Sequence, residues 1–412
     1  MGTEDQGMAT GRDAFFKKLV SLRCAGQTLH FRVSQDLFSS HQVDFGTSFL
    51  LRTLVSSEHV PFRKVLDPGC GYGPIGLALK KVSGESFVHM VDRDALAVEY
   101  SRQNAELNGL SDVEIYGSLG YDDVRAEDFD LIACNIPGKA GEPVISHFLR
   151  DAVDYLRPGG MVAVVVVTPL QATVEQALTG TPGVDIIFRG ARSGHAVFHY
   201  RLTDNHTGAD RPRMSALDRG VYDRTKETFT SRGLEYPMQT ALGLPEFDSR
   251  SYHTELLLKG IQGLRNQSTR RAVVFNPGQG HVPVVLSRLL KPDGIVLVDR
   301  DLLSLRYSRN NLVLNGYPAE RVTLSHQVGI ALESQEQADI IVGTLRENEG
   351  TEALALTARQ AADQLSPDGV FLLSAGSTAV TRVEGMMRTR NQLRVQGRKR
   401  WKGNSLLIAR RK

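Results

Sequence analysis

The segment VLDPGCGYGPIG, Val65–Gly76, decides the fold of the chain around it. A short apolar strand ends in the acid Asp67, and three glycines follow at alternate positions: Gly69, Gly71 and Gly73. Glycine suits a loop whose backbone must approach a ligand closely or take a positive φ. Pro74 comes next, where proline suits the first turn of a helix. The segment therefore predicts a strand, a ligand-facing loop and a helix in immediate succession.

Strands and helices continue to alternate after this segment. The apolar run SFVHMVD ends in Asp92, Asp94 is placed to cap the next helix, and Asn108-Gly109 is placed to end it. Two later runs, FDLIAC and MVAVVVV, are apolar enough to be central parallel strands covered on both faces. This alternation predicts an α/β fold with a doubly wound sheet.

The chain also repeats itself. YSRQNAELNGL from Tyr100 returns as YSRNNLVLNGY from Tyr307, and VDRDAL returns as VDRDLL, both at an offset of 207 residues. We aligned VLDPGCGYGPIG with VFNPGQGHVPVV from Val274, and DLIACN with DIIVGT, at an offset of 209. Repeats in one order predict two domains of the same fold. The predicted boundaries are an N-terminal extension at 1–27, a first domain at 28–202, a linker at 203–213 and a second domain at 214–412.

Composition excludes several classes of protein. The 412 residues are 41% hydrophobic and 23% charged, which is ordinary for a soluble chain of two domains. The longest apolar run, Met161–Val167, is far shorter than the roughly 20 residues of a membrane helix, and we expect no secretion signal. Three cysteines without a CxxC pair predict no disulfide framework, no metal site and a reducing, cytoplasmic setting.

The order of the polar motifs indicates a cofactor. The spacing G-x-G-x-G differs from the G-x-G-x-x-G of dinucleotide-binding enzymes. Asp92, at the end of the second strand, is placed to accept hydrogen bonds from a ribose. A loop Asn135-Ile136-Pro137-Gly138 follows a later strand. An acid, a glycine loop, a second acid and an Asn-x-Pro loop occur in the order that a methyltransferase requires, so we predict that the first domain binds S-adenosyl-L-methionine.

The segments VDFGTSFLLRTL, VLDPGCGYGPIG and CNIPG resemble class I methyltransferases of the small methyltransferase domain type. In particular, they resemble the tandem-domain ribosomal RNA guanine-N2 methyltransferases. The resemblance covers about residues 28–202 well and 236–410 in degraded form. It implies two tandem doubly wound Rossmann-like domains, the second degenerate. In that family the first copy is the degenerate one, so this chain departs from it in having the better-preserved motifs in its first copy.

The resemblance also implies roles for individual residues. Asp67 and the three loop glycines would line the methionine and ribose part of the cofactor, and Asp92 would hold the ribose hydroxyls. Ser118 and Leu119 would lie beside the adenine. The segment DFGTS, which contains Thr47, would help to close the cofactor pocket, although Thr47 could instead cap a helix.

Amino-group methyltransferases carry Asn/Asp-Pro-Pro-aromatic at the catalytic loop. The Asn oxygen and the next carbonyl accept the two N–H bonds of the substrate nitrogen, and rate comes from positioning and electrostatics. Asn135, Ile136 and Pro137 are therefore the predicted catalytic residues, with Asn135 also beside the cofactor. Gly138 lacks the aromatic that would stack on a base, and Phe148 and Tyr72 are candidate substitutes.

The predicted function is N-methylation of a base in ribosomal or other RNA. The alternatives are methylation of a protein amide or small molecule, and a regulatory or scaffold protein that binds the cofactor without turnover. A third idea, a Cys134 thiolate that attacks a pyrimidine, conflicts with the apolar strand around it.

Two features of the second copy bear on partners and activity. The run Arg398, Lys399, Arg400, Trp401 and Lys402 combines cations with an aromatic, which suits RNA, although a solvated terminal hairpin is the alternative. In the alignment at an offset of 209 residues, Asp67 becomes Asn276, Gly73 becomes Val282 and Gly76 becomes Val285. The catalytic tetrapeptide becomes Thr344-Leu345-Arg346-Glu347. We therefore expect the second domain to be non-catalytic.

Overall fold

The computed structural model describes residues 13–55, 62–203, 214–332, 337–346, 348, 350–390 and 392–412. These residues form two units of the same architecture. Each unit begins with an antiparallel hairpin and continues into a seven-stranded sheet with helices on its faces.

The first unit contains strands β1–β9 and helices α1–α5. Its strands are β1 Phe16–Cys24, β2 Gln27–Ser34, β3 Lys64–Pro68, β4 Phe87–Asp92, β5 Val113–Gly117, β6 Phe129–Asn135, β7 Leu156–Val167, β8 Val184–Arg192 and β9 His195–Leu202. Its helices are α1 Phe45–Val55, α2 Pro74–Ser83, α3 Ala95–Leu107, α4 Glu142–Arg150 and α5 Gln171–Thr179.

The second unit repeats this order. Its strands are β10 Asp223–Ser231, β11 Leu234–Ala241, β12 Arg271–Phe275, β13 Gly294–Asp299, β14 Val322–His326, β15 Ala338–Thr344, β16 Leu365–Gly376, β17 Leu393–Trp401 and β18 Asn404–Arg411. Its helices are α6 Tyr252–Gln262, α7 His281–Leu290, α8 Leu302–Leu314, α9 Gly350–Gln364 and α10 Ser377–Arg390.

The sheets confirm the predicted α/β doubly wound fold. The strand order is β5-β4-β3-β6-β7-β9-β8 in the first unit and β14-β13-β12-β15-β16-β18-β17 in the second. Strands β3–β7 run parallel, and only the pairs that involve β9 are antiparallel. The order reverses between β3 and β6, and ligands of such sheets bind outside the carboxyl ends of the strands at that point. Asp67, Asp92 and Asn135 lie at those ends.

Local signals in the sequence place the first-unit elements correctly. Helix α2 begins at Pro74, as predicted. Asp94 caps α3 by accepting a hydrogen bond from Leu96 N (2.9 Å), and Asn108 ends the helix. These predicted boundaries are confirmed because each depends on chemistry within a few residues of the chain.

The predicted register of the second glycine loop is wrong by two residues. Pro68 pairs with Val91 and Phe275 pairs with Val298, so the offset of β3 and β12 is 207 rather than 209. Asp67 therefore corresponds to Val274, and the three loop glycines correspond to Asn276, Gly278 and Gly280. A G-x-G-x-G pattern shifted by two residues still superposes two glycines, so the sequence alone fits both registers. The two extra residues lie between α8 and β14, next to a short 3₁₀ helix at Ala319–Arg321.

The hairpin at the start of each unit belongs to that unit. Asn104 of α3 accepts a hydrogen bond from Arg32 N (2.7 Å) and donates to Arg32 O (3.1 Å). Asn311 of α8 does the same with Gln239 N and O (both 2.8 Å). The predicted boundary at residue 28 is therefore wrong, because β1 begins at Phe16 within the supposed extension. Of the predicted linker, 204–213 lie outside the described residues.

The two units contact each other through the repeated VDRD segments. Ala95 N donates to Arg300 O (2.7 Å), and Leu302 N donates to Arg93 O (3.0 Å), which are equivalent bonds at an offset of 207. Arg93 pairs with Asp301 (3.0 Å), and Arg300 pairs with Asp94 (3.5 Å). The contact is therefore a pseudo-two-fold interface, which packs the duplicated units as a symmetric dimer would.

Candidate functional site

The glycine loop after β3 combines open space with a buried acid. A Cβ built on Gly69 or Gly71 would meet no atom within 4 Å, whereas one on Gly73 would lie 2.8 Å from Met90 Cε. The first two glycines thus face open space, and Gly73 faces the core at the start of α2. Asp67 is fully buried; its Oδ2 accepts from Gly76 N (2.8 Å), and its Oδ1 has no partner among the described residues.

Both acids at the strand ends have raised pKa values. Burial, with a contribution from the nearby charge of Asp92, raises the pKa of Asp67 to about 7. Burial also raises the pKa of Asp92 to about 6, against hydrogen bonds from Asp94 N (2.9 Å) and Gly71 N (2.9 Å). These bonds fix the Asp92 carboxylate beside the loop. Perturbed acids at a strand-end crevice are typical of a functional site.

Asn135 lies at the end of β6, beside the glycine loop. The thiol of Cys134 donates to Pro68 O (3.0 Å), which joins the ends of β3 and β6. The Asn135 side-chain amide donates to Asp44 Oδ2 (3.1 Å) and to Thr47 Oγ1 (3.1 Å) at the start of α1. No described residue donates to Asn135 Oδ1. The structure therefore brings the predicted residues Thr47 and Asn135 together.

Backbone hydrogen bonds shape the rest of the Asn-Ile-Pro-Gly loop. Ile136 N donates to Val165 O (3.0 Å), and Ala140 N donates to Pro137 O (3.0 Å), so a turn follows the proline. Among the described residues none donates to Ile136 O. A Cβ on Gly138 would lie 3.2 Å from Leu170 Cδ1 and 3.6 Å from Val167 Cγ2. An aromatic at this position would therefore contact the last residue of β7, Val167, and Leu170 just after that strand.

Neither candidate for the missing aromatic offers an exposed ring on which a base could stack. Phe148 is buried and its ring lies 5.7 Å from that of Tyr121. Tyr72 is 2% exposed and packs edge-on against Phe31 at 5.7 Å. Burial also raises the pKa of the Cys134 thiol well above its usual range, which counts against the thiolate hypothesis.

Ser118 and Leu119 are buried next to Asp92. Ser118 N donates to Asp92 O (2.9 Å), while its hydroxyl donates to Gly120 O (2.8 Å) and accepts from Asp123 N (3.1 Å). The hydroxyl is thus used within its own turn. A role for these two residues beside the adenine stays a prediction.

Sequence reasoning missed Asp44 and His195. Asp44 stands three residues before Thr47, and an acid three residues before a helical Thr is a recognisable capping signal. His195 Nε2 lies 3.9 Å from Asp44 Oδ1, and its ring lies 5.8 Å from that of Phe45. Nothing near His195 in the sequence indicates that β9 brings it to α1.

Comparison with known proteins identifies the first unit. Residues 28–181 match the family model of the methyltransferase small domain. The uncharacterized protein YbxB of Bacillus subtilis is 35% identical over 153 residues, which are 36% of this chain and 74% of YbxB. The chain belongs to the methyltransferase small domain family. Membership confirms the predicted enzyme class, a methyltransferase, and its predicted methyl donor, S-adenosylmethionine.

Other members of the family match a smaller share of their own length. Ribosomal RNA large subunit methyltransferase G of Shewanella halifaxensis is 32% identical over 142 residues, 32% of this chain and 33% of that protein. Ribosomal RNA small subunit methyltransferase C of Hahella chejuensis is 34% identical over 142 residues, 34% of this chain and 40% of that protein. This chain thus matches only a third to two fifths of these two relatives.

A solved structure covers both copies of the methyltransferase small domain fold. The T. thermophilus 16S rRNA N2 G1207 methyltransferase, solved in complex with AdoMet and guanosine, has a TM-score of 0.66 and 18% identity. The match covers 96% of this chain and 98% of that chain. The likeness confirms the tandem fold.

In the second copy the equivalent crevice contains a guanidinium group. Arg346 donates to Asp299 Oδ1 and to Asn276 Oδ1 (3.2 Å), and Asn276 Nδ2 donates to Thr344 O (2.8 Å). Asp299 is the counterpart of Asp92, and Arg346 that of Pro137. The side chain of a catalytic-loop position therefore lies against the acid that would hold a ribose. The predicted fourth residue of this loop, Glu347, lies outside the described residues.

The C-terminal basic run forms the hairpin β17–β18. Arg398 is half-buried and pairs with Glu384 (3.2 Å), whereas Lys399, Arg400 and Lys402 are exposed. The Trp401 ring meets the ring of Tyr252 edge-on at 4.8 Å and has Lys259 Nζ 4.0 Å above it. The basic run thus lies on a hairpin that carries cations on its surface.

Two features are absent from the described ranges. No helix there combines the length and the apolarity that a membrane crossing requires. No group of three or more His, Cys, Asp or Glu side chains there is arranged to hold a metal ion.

Proposed function

We propose that the first copy is an N-methyltransferase that acts on the amino group of a base in RNA, with ribosomal RNA as the leading substrate. The observation that carries the proposal is the pair of acceptors Asn135 Oδ1 and Ile136 O at the end of β6. An amino nitrogen conjugated to a base is a weak nucleophile because its lone pair is delocalised. Two acceptors that bind its two hydrogens orient that lone pair, which lowers the barrier by positioning.

The residues around the glycine loop fit the methyl donor. Gly69 and Gly71 leave room for a ligand against the backbone, and Asp67 Oδ1 is a buried acceptor without a partner among the described residues. Asp92, held by two backbone N–H groups, is suited to ribose hydroxyls. The bound donor would supply an activated methyl group, and the chain would hold and orient the accepting nitrogen. These residue roles rest on this fit together with the family resemblance.

RNA is preferred because of the relatives. Two members of the family that match this chain carry names of ribosomal RNA methyltransferases. Gly138 supplies no stacking ring, so a protein amide or a small molecule is tested alongside RNA. The proposed setting is the cytoplasm, where the three free, buried cysteines would stay reduced.

We also propose that the C-terminal hairpin contacts RNA through Lys399, Arg400 and Lys402. These exposed cations lie on one hairpin beside Arg382, and Arg400, Lys402 and Arg382 line one open groove. Arg398 is excluded from this role because it is paired with Glu384. Phosphate contacts by three cations would make binding strongly dependent on salt. The variant K399A/R400A/K402A should bind RNA more weakly with a shallower salt slope, and an unchanged slope would contradict this contact.

The test of function is transfer of a labelled methyl group. The protein is incubated with labelled S-adenosylmethionine and, separately, with total RNA, total protein and a small-molecule extract, followed by nucleoside analysis of the RNA. Label in a methylated amino base, lost in N135A while cofactor binding is retained, is the expected result. Label in the protein or small-molecule pool overturns the RNA substrate. Cofactor binding without label in any pool favours the regulatory alternative.

A further inference from the structure

The orientation of the Asn135 amide is imposed by its neighbours. An amide side chain has one acceptor oxygen and two N–H donors, and the two ends look alike in shape. Here both donors are used, by Asp44 Oδ2 and Thr47 Oγ1 at 3.1 Å each. The reversed amide would place its oxygen against the Asp44 carboxylate, which only accepts hydrogen bonds. Asp44 therefore selects the orientation in which Oδ1 is left for another molecule.

Asp44 and Thr47 are themselves fixed at the start of α1. The Asp44 carboxylate accepts a hydrogen bond from Thr47 N (3.3 Å), and its backbone carbonyl accepts one from Ser48 N (3.0 Å), so Asp44 caps the helix. Thr47 is 3% exposed, and a Cβ on the intervening Gly46 would lie 2.6 Å from the His195 ring. The first turn of α1 thus lies tightly between the catalytic loop and β9. A side chain held this way has little freedom to move when a ligand arrives.

We propose that Asp44 and Thr47 are positioning residues that hold the Asn135 amide so that its oxygen faces the amino group being methylated. The inference rests on the proposed function, and it assigns Thr47 to the acceptor nitrogen rather than to the cofactor. Loss of the hydrogen bond from Asn135 to either residue lets the amide rotate or reverse. A reversed amide presents N–H groups to an N–H donor, so transfer slows while the cofactor site is untouched.

The second copy provides an internal comparison. Thr254 corresponds to Thr47, is similarly buried, and donates to both oxygens of Glu246 (2.9 Å each). Thr344 stands at the Asn135 position. The threonine persists there without an asparagine to hold, and it has acquired another partner. Thr254→Val is therefore a matched control for Thr47→Val, because each removes a buried hydroxyl from the first turn of an equivalent helix.

The test measures turnover and cofactor affinity in wild type, T47V, T47S, T254V, N135A and N135A/T47V. We expect T47V to lower kcat about 10- to 100-fold, as misplacement of a reacting group does, with cofactor Kd within about twofold of wild type. T47S should recover most of the rate and T254V should match wild type. In the N135A background T47V should have no further effect, since coupled residues are non-additive.

Several outcomes would overturn the positioning role of Asp44 and Thr47. If T47V weakens the cofactor as much as it slows turnover, Thr47 acts on the cofactor. If T47V and N135A effects multiply, Thr47 acts independently of Asn135. Should wild type transfer no label to any pool, the proposed function fails, but the hydrogen bonds that hold the Asn135 amide can still be measured. A protected side-chain amide signal in the NMR spectrum of ¹⁵N-asparagine-labelled protein, absent in N135A and exchanging faster in T47V, supports it. An unprotected signal in wild type rejects it.

Discussion

The two copies share a loop backbone and differ in what lies in front of it. Gly71 and Gly278 both have φ of +58°, and Gly73 and Gly280 have +94° and +101°. The Gly69 position holds Asn276 at +47°, a conformation that asparagine tolerates better than most residues. In the first copy Gly69 and Gly71 face open space. In the second, Arg346 lies against Asn276 and Asp299.

This difference shows that the second copy retains the scaffold and differs in the residues that line the crevice. Asp67 corresponds to Val274, Asn135 to Thr344 and Pro137 to Arg346, whereas helix caps and sheet order are retained. The scaffold has a separate reason to persist, because the VDRD segments of both copies form the interface between them. Loss of the interface would separate the units, while loss of the site leaves the fold intact.

The largest expected contrast concerns the two strand-end acids. Asp92→Ala should weaken S-adenosylmethionine binding about a thousandfold, because two charge-assisted hydrogen bonds to a ribose contribute roughly 4 kcal/mol together. Asp299→Ala should leave the affinity within about twofold. Isothermal titration calorimetry measures both, with one site per chain expected in wild type. An equal loss in D299A would mean that the second crevice binds the cofactor too.

A pH dependence should distinguish the first copy from the second. The pKa of Asp67 is raised from 3.8 to about 7, so between those values the folded protein keeps a proton that the unfolded chain releases. The free energy of unfolding therefore falls as pH rises through this window. Asp67→Asn removes the effect, and the variant should gain about 3 kcal/mol relative to wild type between pH 5 and pH 8.

Urea denaturation at both pH values, followed by hydrogen exchange of each unit, measures this gain. It should be confined to the first unit, because the counterpart of Asp67 is Val274. A constant difference between the two proteins at pH 5 and pH 8 would contradict the raised pKa.

Removing the asparagine that holds the hairpin should destabilise both copies to a similar extent. Asn104→Ala removes three hydrogen bonds, to Arg32 N, Arg32 O and Tyr72 O, and Asn311→Ala removes the equivalent three. Each should destabilise its own unit by about 2 kcal/mol, since buried polar groups lose their partners. Hydrogen exchange of β2 and β11 in the two variants measures this. A large loss in one unit alone would show that the copies differ in scaffold as well as in chemistry.

These asparagines show which features can be predicted from the sequence and which cannot. The repeated N-x-x-x-N of α3 and α8 indicates duplication but does not reveal its partners, because they lie some 70 residues away in the chain. The glycine loop, the caps and the strand-end acids depend on local chemistry and were predicted. The Asp44–Asn135 contact joins residues about 90 positions apart, and the register of the second loop depends on pairing between strands. Neither leaves a local signal.

The smallest expected effect is that of removing Arg346 from the crevice of the second copy. Asp299 is buried and would lose its ion pair in Arg346→Ala, yet Ser304 Oγ (2.6 Å) and Asp301 N (3.0 Å) still donate to it. Because the Arg346 side chain is 31% exposed, water replaces part of what it contributes. We expect a loss of about 1–2 kcal/mol in the second unit, measured by urea denaturation, with turnover and one cofactor per chain unchanged. Arg346→Lys keeps the charge without the fork, so it should lose less than the alanine variant. If Arg346→Ala instead raised the stoichiometry to two cofactors, the arginine would be what closes a site that Val274 and Thr344 have not abolished.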